Sequence, residues 1–85
     1  GGEEFCLLLP ETTIDNAQIL AERIRKAAAG IVIPAAGQMI GITVSIGLVE
    51  LGLADKSLDF AMHRADQAMY QAKERGRNQV AVAWI

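Results

Sequence analysis

Aromatic residues are scarce, at 5% of an 85-residue chain: two Phe, one Tyr and one Trp. Cysteine is almost missing. The single Cys6 cannot form an internal bridge, which excludes a disulfide scaffold. It lies in an apolar run and is expected to be a buried free thiol in a reducing compartment. Base is absent from the first 22 residues, which carry Glu3, Glu4, Glu11, Asp15 and Glu22. Over the whole chain ten acids face eight bases, for a net charge of −2, so a basic nucleic-acid module is excluded and no nucleic-acid partner is expected. No repeat or low-complexity tract occurs. Aliphatic side chains abound instead. Hydrophobic residues reach 52%, above the roughly 45–50% of globular domains, which excludes intrinsic disorder. The length suits one small domain, burying about 60–65% of its unfolded surface. So high an apolar content, together with an opening at Gly1 rather than Met, points to a piece of a larger unit.

The stretch Ala27–Val49 holds no charge and is long enough to cross a bilayer. It is broken by Gly30, Pro34, Gly37 and Gln38 and alternates from Ile40 onward, so it is expected to form strands of a water-soluble domain.

The pattern predicts the order strand, helix, strand, strand, helix, strand. Phe5–Leu9 is a continuous apolar run stopped by Pro10, suited to a strand buried on both faces, and Gly1-Gly2 before it is a turn signal. Thr12 or Thr13 caps a helix whose apolar stripe is Ile14, Ala17, Leu20, Ala21, Ile24 and Ala28, ended by Gly30. Ile31–Ile33 is a short strand ended by Pro34, and Gly37-Gln38 a turn. The clearest strand alternates bulky Ile40, Ile42, Val44, Ile46 and Leu48 with small Gly41, Thr43, Ser45 and Gly47. The small face would let a ligand or a neighbour approach closely. Ser57 caps a second helix with the stripe Leu58, Ala61, Met62, Ala65, Met69 and Ala72, broken at Gly76. Asn78–Trp84 is the last strand. Met62 and Met69 are expected in the core, Tyr70 and Trp84 packed, and His63 on the surface with no partner at metal spacing. The class is α+β.

Two segments could carry chemistry. In Gly1-Gly2-Glu3-Glu4-Phe5, glycines let backbone approach a phosphate or base, and a carboxylate beside them suits a hard metal ion; a plain hairpin with solvated acids fits the spacing too. Lys73 and Arg77, four residues apart across a helix end, fit either simple end capping or a phosphate clamp, with Lys as point charge and Arg as planar fork.

Together these segments resemble the GGDEF family, the diguanylate cyclases. Gly1-Gly2-Glu3-Glu4-Phe5 resembles the GG(D/E)EF signature. Ala21–Arg25, Thr43–Leu48 and Ala65–Lys73 with Gly76-Arg77-Asn78 resemble family landmarks in order and spacing. The resemblance spans essentially the whole chain and about the second half of such a domain, 1–85.

The resemblance implies a cyclase-palm sandwich with an antiparallel-rich sheet. It implies that two GTP-loaded domains face each other as a homodimer and condense their nucleotides into cyclic di-GMP, releasing pyrophosphate, with Mg²⁺ or Mn²⁺ as cofactor. Glu3 then matches the metal-binding carboxylate and Glu4 a second acid supporting the active site. Gly1 and Gly2 match the glycines that leave room for GTP. Lys73 and Arg77 match the basic pair on the terminal phosphates. Asp66 and Asn78 match structural landmarks, and the small strand face would lie near the site. An upstream sensory domain and a cytoplasmic location are implied as well.

The family's other metal-binding Asp, its guanine-reading residues and its RxxD inhibitory motif lie upstream of the signature. The 85 residues alone are therefore expected to be inactive with GTP and Mg²⁺, and to self-associate through uncovered strand edges and apolar faces. Two rival readings keep the fold: a nucleotide-binding regulatory domain without turnover, and a structural interaction module without GTP affinity.

Overall fold

The computed structural model describes residues 7, 9–51 and 57–83. Within them the order is α1 (Ile14–Ala29), β1 (Val32–Ala35), β2 (Gln38–Gly41), β3 (Ile46–Leu48), α2 (Leu58–Glu74) and β4 (Val80–Val82). This is the expected α+β order after its first strand, with three strands between the helices where two were expected. The Phe5–Leu9 run falls mostly outside the described residues, and Cys6 and Trp84 lie outside them as well.

Both helices start at a hydroxyl. Thr13, in extended conformation, accepts the Asn16 N–H on its side chain at 3.2 Å, while the Thr12 hydroxyl turns back to donate to the Pro10 carbonyl. Of the two candidate caps, Thr13 is therefore the one used. Ser57 does the same for α2, its Oγ accepting the Phe60 N–H at 3.1 Å. Asp15 and Asp59 occupy the first turns and Lys26 and Lys73 the last, which matches the sign of the helix dipole at both ends. Gly30 closes α1 by donating to the Lys26 and Ala27 carbonyls.

The strands depart from expectation. The alternating run does not form one strand. It divides at residues 42–45 into β2 and β3, which belong to different sheets. β1 and β2 form an antiparallel hairpin in register Val32↔Gly41 to Ala35↔Gln38. Its turn is Ala36-Gly37, not Gly37-Gln38, and both residues have positive φ, 52° and 79°. That geometry is the two-residue turn whose twist matches a hairpin. Pro34 does not end β1. It sits inside it opposite Met39, which a two-stranded ribbon tolerates because a strand with one partner has a free edge for a residue lacking N–H. β3 and β4 pair in parallel, Ile46↔Val80 to Leu48↔Val82. The described pairs are thus one antiparallel and one parallel, and the last strand is Val80–Val82, shorter than Asn78–Trp84.

Both helices pack on the β3–β4 pair, whereas the hairpin packs chiefly on itself. The Cα radius of gyration is 14.3 Å, against about 12 Å for a compact domain of this length.

The core is built of alanine. Every buried apolar residue among those described is one: Ala17, Ala21, Ala28, Ala61, Ala68, Ala72 and Ala81. Ala68, Ala72 and Ala81 form one cluster with Ala83 packed against it. Residues without long side chains let helix and sheet backbones approach closely. Gly47 carries this furthest, because a Cβ there would lie 2.1 Å from the Ala65 carbonyl oxygen. The small strand face at Gly47 therefore meets the α2 backbone, not a ligand. With α2 that close, the larger stripe residues are displaced from the core. Met62 and Leu58 are exposed and Met69 is only half-buried, contrary to the expected core positions of the two methionines. Tyr70 does not pack either; it is exposed, with its hydroxyl bonded to Glu74.

Candidate functional site

The described part of the expected site is the end of α2 and the turn that follows. Lys73 stands half-buried in the last helical turn and Arg77 is exposed three residues beyond it. The chain then bends back sharply. Gly76, Arg77 and Asn78 all have positive φ, at 118°, 64° and 50°. Glycine adopts this freely, asparagine at modest cost and arginine reluctantly.

Backbone hydrogen bonds hold the bend. Arg75 N–H donates to Gln71 O at 2.9 Å, Gly76 N–H to Lys73 O at 3.4 Å, and Arg77 N–H to Ala72 O at 2.9 Å. The Gln79 side-chain amide donates to Arg75 O at 3.0 Å and Arg77 O at 3.2 Å. The Gln71, Ala72 and Lys73 carbonyls at the end of α2 are thus satisfied by backbone donors. The two cations are not consumed in capping, and among the described residues no side chain pairs with either. Residue 77 is held beside the turn that carries Lys73, which places two positive charges at one helix end.

Asn78 ties this end to the rest of the fold. Its N–H donates to Ser45 Oγ at 3.2 Å, just before β3. Its Oδ1 accepts from Arg25 Nη1 of α1 at 2.9 Å. Arg25 Nε donates to Glu22 Oε1 at 2.7 Å, and its Nη2 bonds the same oxygen. That hydrogen bond holds the Glu22 carboxyl below its usual range and the Arg25 guanidinium above its own. The sequence marks Asn78 as a structural landmark and places Glu22, Arg25 and Ser45 inside the landmark segments Ala21–Arg25 and Thr43–Leu48, but gives none of these three a role of its own. Their signal is faint: one of two hydroxyls in a strand-like run and two charges off an apolar stripe.

The other half of the expected site, Gly1, Gly2, Glu3 and Glu4, lies outside the described residues. Among the described residues no three His, Cys, Asp or Glu side chains cluster as a metal site, and His63 is exposed, as expected. No described helix is long and apolar enough to cross a membrane. Asp66, also exposed, borders only a shallow open groove with Gln67, Tyr70 and Gln71 on the outer face of α2. In that groove the hydrogen bond to Glu74, followed by the charge of that carboxylate, raises the Tyr70 hydroxyl above its ordinary pKa of 10.0.

Residues 1–79 match the family model described as diguanylate cyclase, GGDEF domain. The chain is 39% identical over 83 residues to diguanylate cyclase A of Treponema denticola, covering 98% of this chain and 22% of that protein. It is 45% identical over 83 residues to diguanylate cyclase DgcM of Escherichia coli K12, covering 98% of this chain and 19% of that one. The chain therefore spans about a fifth of the length of these curated relatives. Among solved structures it resembles the GGDEF domain of DgcB from Caulobacter crescentus, crystallised in complex with c-di-GMP. The TM-score is 0.82 and the identity 29%, over 91% of this chain and 45% of that one.

Proposed function

The chain belongs to the diguanylate cyclase GGDEF family, and from that premise we propose that the protein carrying it condenses two GTP molecules into cyclic di-GMP. The 3′-hydroxyl oxygen of each nucleotide attacks the α-phosphorus of the other. Two phosphodiester bonds form, two bonds to pyrophosphate break, and each hydroxyl proton is lost to base. A second copy of the domain supplies the second GTP, so assembly controls turnover. The substrate is consistent with a cytoplasmic domain, coupled to a sensory domain elsewhere in the protein.

The observation that carries this reading is the pair Lys73 and Arg77, whose backbones meet at one helix end where backbone donors already take the Gln71, Ala72 and Lys73 carbonyls. Cations so placed are available to a triphosphate, and Arg adds planar recognition to the point charge of Lys. Gly1 and Gly2 would leave room for the nucleotide, and Glu4 would support the site. Cyclases of this family depend on a divalent metal. The Glu3 carboxylate offers the hard oxygen donor that Mg²⁺ or Mn²⁺ takes. When bound, the ion neutralises the triphosphate and favours ionisation of the attacking hydroxyl.

The test is cyclic di-GMP and pyrophosphate formation by the full-length protein with GTP and Mg²⁺, unaltered and as Lys73→Ala and Arg77→Ala. Loss of one charge-assisted phosphate contact is expected to raise KM about tenfold. An unchanged KM in both variants would overturn the phosphate assignment. GTP binding without any product in the unaltered protein would favour a regulatory domain.

A further inference from the structure

We propose that Arg25 is a positioning residue for phosphate binding: through Asn78 it sets the backbone of the adjacent Arg77. The inference rests on the reading of Arg77 as a phosphate ligand. Arg77 and Asn78 hold φ of 64° and 50°, a region asparagine enters at modest cost but a residue such as arginine keeps only where its surroundings over-determine it. Part of the restraint is local, from Ala72 O and the Gln79 amide. The remainder comes across the fold. Ser45 takes the Asn78 N–H, and Arg25 reaches Asn78 Oδ1 at 2.9 Å with a long 3.5 Å contact to Asn78 O.

Arg25 suits this task. Its side chain is 18% exposed, and Nε and Nη2 both bond one Glu22 oxygen, so the guanidinium plane is fixed before Nη1 meets Asn78. Lysine, a single rotatable charge, cannot hold Glu22 and reach Asn78 with this geometry. Freed from Arg25, the 76–78 turn would relax toward conformations that suit arginine better and carry the Arg77 side chain off the phosphates.

The experiment measures binding of a non-hydrolysable GTP analogue, and of GMP by competition, to the full-length protein as wild type, Arg25→Ala, Arg25→Lys, Arg77→Ala and the Arg25→Ala/Arg77→Ala double variant. Arg77→Ala is expected to weaken the GTP analogue about tenfold, and either Arg25 variant about three- to fivefold, with GMP unchanged because it lacks the terminal phosphates. The double variant should bind no more weakly than Arg77→Ala alone, since Arg25 acts only through Arg77. If Arg77→Ala binds as wild type, the phosphate reading itself has failed. If Arg77→Ala weakens binding, three results each overturn the positioning role: wild-type affinity in Arg25→Lys, equal losses for GTP analogue and GMP, or additive losses in the double variant. Should Arg25→Ala fail to fold, Arg25→Lys carries the comparison, paired with Arg25→Lys/Arg77→Ala.

Discussion

Replacing Gly47 with alanine is expected to push α2 off the β3–β4 pair. The new Cβ would lie 2.1 Å from Ala65 O, 2.4 Å from Met69 N and 2.9 Å from Met69 Cα. An ordinary carbon–oxygen contact is about 3.3 Å, so the helix must retreat by roughly 1 Å. All three neighbours are backbone atoms, and no rotamer change relieves the clash. Retreat opens the cluster of Ala68, Ala72 and Ala81, which are 2%, 0% and 7% exposed. A gap of that width forfeits about a quarter to a half of each dispersion contact. Overpacking typically costs about 1–3 kcal/mol, and a backbone-only clash belongs at the upper end. In a domain of about 150–250 residues, 3 kcal/mol lowers Tm by about 6–12 °C. Thermal melting followed by circular dichroism, on the full-length protein, measures the shift. Gly41→Ala is the control, because a Cβ there meets nothing within 4 Å, and its Tm should barely move. Because Lys73 rides on α2, Gly47→Ala should also raise KM for GTP. A Gly47→Ala protein melting within about 2 °C of wild type would refute the close helix–strand approach.

Two further outcomes follow from charge. Glu22 is held below its ordinary pKa of 4.5 by its hydrogen bond to Arg25, so it stabilises the fold above its unfolded-state pKa, and this contribution fades as pH falls through the depressed folded value. Glu22→Gln should therefore lower Tm at neutral pH and flatten its decline in acid; parallel acid profiles for the two proteins would contradict this. Tyr70 is raised above 10.0 by Glu74, so its contribution is present below that value and is lost as pH rises through the folded pKa. A phenolate difference titration against Tyr70→Phe should show the elevated value, and Glu74→Gln should return it toward 10.0; an unmoved titration would remove the Tyr70–Glu74 bond from the account.

What could be read from the residues was whatever depends on near neighbours. Thr13 and Ser57 start helices because each hydroxyl serves a backbone N–H three residues on, and Gly30 and Gly76 mark where those helices stop. The strands were read less well, because alternation fixes which faces are apolar and says nothing of partners. Ile40 to Leu48 alternates throughout, yet β2 is claimed by β1 across a two-residue turn while β3 waits for β4 from beyond α2. One run cannot satisfy both pairings, and the chain divides between them. Met62 falls on the apolar stripe of α2 and is expected in the core, but an alanine-lined approach leaves the larger side chain outside. Of the site, the cations Lys73 and Arg77 were legible as a charged helix end. The Arg25–Asn78–Ser45 ties were not, since they join residues far apart in the chain.

The small residues and the polar ties address the same problem from two sides. Gly47, Ala68, Ala72 and Ala81 fix how close α2 lies to the strands, and so how far its last turn stands from the sheet. Ser45 and Arg25 then fix where the chain goes after that turn, one from the entry to β3 and the other from α1. A helix end held only by packing could still slide along its axis, because alanine surfaces are smooth. A turn held only by hydrogen bonds could swing with a loosely seated helix. Both restraints act on the backbone of residues 72–78 and so hold the main chain at Lys73 and Arg77 in one relative placement. On the proposed reading, two cations carried on a backbone held in this way have less ordering left to lose on meeting a triphosphate than two independent charges.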